Sequence, residues 1–201
     1  MVARSQTKSP IAYAELRRGR NMRFEQLVSK IRTDRGLERE VPGFDPINGN
    51  ERAKFLFLLE APGPRAVETG FISFDNPDPT ARNLREQLAA AGIVRSEIAL
   101  WNVVPWYLGE GQRIRPARAD DLKVALSYLP PLVLAMHDLR CIVLVGRAAY
   151  RAHFLLSRTT TARILACHHP SARAMHANPQ AWQENVEIFR FMKSSSELNP
   201  A

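Results

Sequence analysis

Three residues of the 201-residue sequence pair chemically capable side chains with positions able to present them: Glu60, Asn102 and His169. Each closes or follows a short apolar run. Glu60 begins Glu60-Ala61-Pro62-Gly63-Pro64 after Phe55-Leu56-Phe57-Leu58-Leu59, Asn102 lies in the run 98–104 ahead of Pro105, and His169 begins His169-Pro170-Ser171 after the run 164–167. A carboxylate can hold a proton or face positive charge, an amide donates and accepts hydrogen bonds at once, and an imidazole changes charge near neutral pH. Brought to one place, the three meet the needs of a site for a small polar ligand.

Other chemistries fit the sequence less well. Cys167, His168, His169 and His176 cluster, but consecutive strand residues point to opposite faces and no standard paired-ligand spacing is present, so no metal site is expected. Cys167 and His168 as nucleophile and base fail on the same geometry. No GxxxxGK[ST] or GxGxxG loop is present to cradle phosphates for an ATPase or a dehydrogenase.

The elements that must position these residues follow from the apolar pattern. The continuous runs 55–59, 98–104 and 141–145, and the shorter 164–167, read as strands buried on both faces. Between them lie segments at helical spacing: 81–91, which Thr80 could cap and Gly92 stop; a segment from Pro116, interrupted at Pro130-Pro131 and resumed to Leu139; 147–156; and 179–192. Buried strands alternating with helices predict a three-layer α/β/α sandwich around a central, mainly parallel four-stranded sheet. In such a sheet ligands bind beyond the C-terminal strand ends, where Glu60, Asn102 and His169 fall. Residues 11–31 read as one or two helices broken near Gly19, making 1–50 a basic helical flank of a single domain over 1–201, and 194–201 reads as a frayed tail.

Composition narrows the partners. Net charge is +8, and only five of the 28 basic residues are Lys, so the surplus is arginine, whose planar fork matches phosphate oxygens. Residues 1–40 carry ten Lys or Arg, among them Arg17, Arg18, Arg20 and Arg23, against five acids. That segment reads either as a DNA-facing flank or as a helix docked on the core with its charged side in water. No apolar run approaches the roughly 18 to 20 residues of a membrane span, and the Arg-rich start lacks the apolar stretch of a secretory signal. A cytoplasmic protein without a membrane partner is expected. The two cysteines, Cys141 and Cys167, lie in apolar runs and fit a reducing compartment.

Leu59-Glu60-Ala61-Pro62-Gly63 resembles, at four of five places, the GEAPG first motif found in one branch of the uracil-DNA glycosylase superfamily. Asn102-Val103-Val104 is similar to that superfamily's strand-end Asn followed by two valines, and His169-Pro170-Ser171, with Asn178-Pro179 after it, to its HPS loop. The resemblance spans roughly residues 55–191. It implies a cofactor-free, monofunctional enzyme, acting as a monomer in base excision repair, that flips uracil out of DNA and hydrolyses the N-glycosidic bond to leave an abasic site. Uracil-containing and abasic DNA are the implied partners.

The resemblance also implies roles. Asn102 reads the base, because its amide complements uracil N3–H and O4 and is wrong for the cytosine edge. Glu60 orients water and stabilises a cationic sugar, while His169 donates to uracil O2 as negative charge develops there. Phe74, with Phe71 as competitor, stacks on the base; Ala61 and Gly63 leave room for it. Ser171 bonds a phosphate, and Arg173 or Met175 fills the gap in the DNA stack. The chain departs from the pattern at Leu59, which stands where the motif begins with Gly, in the Pro77- and Pro79-containing stretch between Gly70 and Leu84, and in having two cysteines where the cluster-bearing branch uses four. Two other readings stay open: a module of the same fold that binds abasic or damaged DNA with little turnover, and a glycosylase for another deaminated base.

Overall fold

The computed structural model describes residues 23–110 and 113–197. Four strands build the central sheet: β2 (Phe55–Leu59), β4 (Ile98–Asn102), β7 (Cys141–Val145) and β8 (Arg163–Cys167), in spatial order β4-β2-β7-β8 and all parallel. Leu56, Phe57 and Leu58 of β2 and Ile142, Val143 and Leu144 of β7 are fully buried, so successive residues pointing to opposite faces are equally covered. This is the sandwich read from the apolar runs.

In chain order the other elements are α1 (Phe24–Arg35), β1 (Gly43–Phe44), α2 (Pro64–Thr69), β3 (Phe71–Ile72), α3 (Pro79–Ala90), β5 (Gly109–Glu110), β6 (Arg113–Ile114), α4 (Ala119–Ala125), α5 (Leu129–Ala135), α6 (Gly146–Ala149), α7 (His153–Thr159), α8 (Ala172–Ala177) and α9 (Ala181–Glu197). Helices α3, α8 and α9 pack together, and α5 packs against both α1 and α7. Helix α1 buries Phe24, Leu27, Val28 and Ile31 at helical spacing, and its Phe24 joins a stack through Phe44 to Trp101 of β4. Residues 24–35 of the basic flank are therefore a docked helix. The part of the flank before Arg23, with the Gly19 break and Arg17, Arg18 and Arg20, lies outside the described residues.

Several boundaries differ from the sequence reading, each for a local reason. Asp78, not Thr80, caps α3: its carboxylate accepts from Ala81 N–H at 2.9 Å, which places Pro79 in the first helical position. Pro130 and Pro131 open α5 rather than interrupt it, because first-turn N–H groups have no helical acceptor to lose; α5 ends at Ala135 rather than Leu139. The second strand stops at Asn102, although Val103 and Val104 still donate to the carbonyls of Leu59 and Glu60 (2.8 and 2.9 Å). Ser194, Ser195 and Ser196 do not fray: their hydroxyls bond back to carbonyls three residues earlier and α9 continues to Glu197, while 198–201 fall outside the described residues. Helix α8 and the β5–β6 hairpin are elements that the apolar pattern does not predict. No described helix is long and apolar enough to cross a membrane.

Candidate active site

The chain passes from β2 to β4 on one side and then to β7 on the other, so the sheet's connection reverses around β2 and opens a crevice at its C-terminal end. Asn102 ends β4, in register with Leu59, so Glu60 leaves β2 beside it, and the Val103 and Val104 ladder bonds fix that spacing. His169 follows β8 on the opposite side. The three residues line one cleft of about 490 Å³, together with Ala61 and Gly63.

Asn102 is 2% exposed, and its Nδ2 is buried with no hydrogen-bond partner. A buried amide donor left unmet costs about 1–3 kcal/mol, a cost that an acceptor arriving with a ligand would relieve. Glu60 is half-buried, and one carboxylate oxygen accepts from Ala117 N–H at 2.9 Å. Arg151 in turn holds the Ala117 carbonyl at 3.1 Å, so the 116–118 segment acts as a bracket for Glu60.

His169 Nδ1 accepts from Ser171 N–H at 3.2 Å, which puts the ring proton on Nε2 when the imidazole is neutral. Burial holds its pKa below the usual 6.5, against the upward pull of Glu60 and Asp78. The result is a neutral imidazole with one donor in a cleft that also holds two carboxylates. Beneath it, Gly146 turns at φ +80, where a Cβ would stand 3.0 Å from His169 Cβ.

The loop carrying His169 is gripped by three buried or half-buried amides. Asn185 of α9 accepts from His168 N–H (2.8 Å) and donates to its carbonyl (3.0 Å) and to Gln87 of α3 (3.1 Å). Asn83 of α3 donates to the Pro170 carbonyl (2.8 Å). Ser171 caps α8, its hydroxyl accepting from Ala174 N–H at 3.3 Å. Reading the sequence for strand-end motifs passes over these amides; the signal that could find them is a polar residue on the apolar face of a predicted helix, as at Gln87 and Asn185.

Comparison with known proteins gives the family of the chain. A family profile described as the uracil DNA glycosylase superfamily matches residues 46–190, well over half of the chain. The chain belongs to that superfamily. Among solved structures it is similar to the solution NMR structure of a candidate uracil DNA glycosylase from Methanosarcina acetivorans, at 19% identity and a TM-score of 0.49, over 76% of this chain and 98% of that one. No curated protein matches.

Within the superfamily's frame, some expected residues lie elsewhere. Phe74 is 3% exposed and does not line the cleft; Arg95 lies over its ring at 5.8 Å, and Arg95 is itself held by Asp45, Asp75 and Asn48 at 2.6 Å each. Phe71 is exposed but lines a different cleft, with Phe44 and Gly70. Among the described residues, no Phe, Tyr or Trp lines this cleft: Pro62, Ile72, Leu84, Leu100 and Ile114 supply its apolar surface, beside the His169 ring. The Gly70–Phe74 spacing suggests a stacking ring, but the same spacing sends Phe74 into the core. Met175, expected as a DNA wedge, is half-buried, and its sulfur accepts from Gln87 Nε2 at 3.5 Å. Arg173 is exposed on α8. Leu59, at the motif's Gly position, lines the cleft and packs on the core. Burial pushes both cysteine thiols up to about 12, and the two lie at opposite ends of paired strands. Among the described residues, no group of three or more His, Cys, Asp or Glu converges to hold a metal.

Proposed function

We propose that this protein is a uracil-DNA glycosylase: it takes uracil from DNA into the cleft and hydrolyses the bond between uracil N1 and the sugar, leaving an abasic site. The observation that carries this reading is the buried, unpartnered Nδ2 of Asn102 on the cleft wall. Uracil O4 is the acceptor it lacks. Cytosine offers an amino group there, so donor would face donor and the penalty of the orphaned amide would persist.

Breaking the bond sends electrons to the base and leaves the sugar positive. Glu60 faces the sugar with its negative charge and holds the attacking water with the oxygen that Ala117 leaves free. As water adds, its proton passes to the carboxylate. His169, neutral and with its proton on Nε2, donates to uracil O2 as the ring takes up charge. Since no Phe, Tyr or Trp among the described residues lines the cleft, the base packs between aliphatic and proline surfaces, with Ala61 and Gly63 allowing close approach. Ser171 and Arg173 contact phosphates. No cofactor is required, and the protein acts as a monomer on DNA.

The test of recognition is direct. On titration with free uracil, the Asn102 side-chain amide resonances shift in nitrogen–proton NMR spectra, and with cytosine they do not; a matching response to both, or none to uracil, removes the role assigned to Asn102. The reading as a DNA-binding module without turnover has no separate observation in its favour beyond Leu59 at the cleft wall.

A further inference from the structure

Enzymes that draw a base out of duplex DNA need something to occupy the gap in the stack, and the residue expected to do so, Met175, is engaged inside the protein. Another side chain meets the requirement. Ile114 of β6 is 49% exposed and lines the base-binding cleft, so it stands at the cleft's rim. It also lines a neighbouring cleft of about 510 Å³ walled by Trp106, Tyr107 and Leu108. Single exposed apolar side chains are ordinary on a protein surface; what sets Ile114 apart is its place between the two clefts.

Its mounting is firm. Gly109 pairs with Ile114, and a Cβ on Gly109 would meet the Arg113 carbonyl at 2.0 Å, so the two strands approach as closely as glycine alone permits. Tyr107 Oη donates to that same carbonyl (3.2 Å), and Arg115 N–H donates to the carbonyl of the buried Leu108 (2.9 Å). Arg113 is exposed on one side of Ile114; on the other, Arg115 lines both clefts while paired through two nitrogens with Asp121 (2.6 and 3.0 Å). An aliphatic side chain at the mouth of the cleft, with the exposed Arg113 next to it in the strand, is complementary to a DNA duplex at the step a nucleotide has left: apolar against the exposed bases, with a cation near a flanking phosphate.

We propose that Ile114 is the wedge that enters duplex DNA when the target nucleotide moves into the cleft, with the exposed Arg113 beside it on the backbone. The inference rests on the glycosylase reading and extends it. A wedge matters only where a stack must be opened, so single-stranded DNA supplies the control.

Uracil release by the full chain and by Ile114→Ala and Ile114→Leu is measured on the same oligonucleotide, single-stranded and paired with its complement. Ile114→Ala is expected to lower kcat/KM on the duplex roughly tenfold more than on the single strand, where only the cleft-wall contact is lost, and Ile114→Leu to restore most of that difference. Equal losses on both substrates would make Ile114 part of a general binding surface, and an unchanged duplex rate would remove the wedge; either overturns the proposal. Should the unsubstituted chain release no uracil from either strand form, the glycosylase reading fails by itself, and the wedge is then judged by binding. Fluorescence of 2-aminopurine placed beside an abasic site in a duplex should rise on binding the unsubstituted chain and not Ile114→Ala; identical responses overturn it.

Discussion

On the reading proposed for the cleft, Asn102, Glu60 and His169 divide the work between recognising a base and stabilising the two charges that part when its bond breaks, and each division has a measurable consequence. Glu60→Gln and His169→Ala are expected to lower turnover roughly 10²–10³-fold with DNA affinity nearly unchanged, because both act on charges present only in the transition state. Undiminished uracil release by either variant would remove that residue's role. Asn102→Asp removes the buried amide donor and should cost roughly 10–100-fold in uracil release relative to cytosine. The pH behaviour of His169 follows from its surroundings. Burial lowers its pKa and Glu60 raises it, so Glu60→Gln should move its NMR titration further below 6.5; a titration that stays put or moves up would contradict the placement of the two side chains. In stability, the folded state takes up this proton at lower pH than the unfolded chain. The contribution is therefore complete above the unfolded value near 6.5 and is lost as pH falls from there toward the folded value. These three residues are legible in the sequence because each sits at the end of an apolar run; the stacking ring is not, since an isolated Phe in a loop carries no sign of whether it faces a ligand or the core.

The strands are legible because burial on both faces leaves unbroken apolar stretches, and the helices that cross between them follow from parallel pairing. The devices that aim the site are not. Gly146 looks like any turn glycine until its φ and the His169 ring above it are seen, and the short α8 and the two-residue strands β5 and β6 carry no periodicity to detect. Gly146→Ala should cost about 1–2 kcal/mol from the left-handed backbone and lower kcat more than it changes KM, as the imidazole is displaced. Unaltered turnover in a folded Gly146→Ala protein would show that His169 tolerates the shift. Asn185 is fully buried and satisfies both backbone groups of His168. Asn185→Ala, measured by urea unfolding, is expected to lose about 2–4 kcal/mol by orphaning those groups and the Gln87 amide; a loss below about 1 kcal/mol would mean water replaces the clamp.

For the whole molecule, the arginine surplus and the cleft make one prediction together. Arg65, Arg113 and Arg173 are exposed, Arg65 at the cleft itself and Arg113 on the hairpin beside it. If three such residues contact phosphates, affinity for DNA should fall roughly 10- to 100-fold between about 50 and 200 mM salt, read by fluorescence anisotropy; an affinity indifferent to salt would exclude them as contacts. Net charge points to a polyanionic partner, but charge alone does not place the binding face: among the residues of α1, Lys30 pairs with Asp34, Arg32 donates to the Val41 carbonyl, and Arg35 lies over Trp106. Cleavage of the N-glycosidic bond of uracil by this cleft's own side chains is the reaction we propose. It is tested most directly by incubating the purified full chain, in EDTA, with a labelled uracil-containing oligonucleotide and measuring free uracil and alkali-labile sites together. Equal amounts of both from the unsubstituted chain, and roughly 10²-fold less from Glu60→Gln at unchanged DNA affinity, are the result predicted. Tight binding of abasic DNA with no uracil released would contradict it.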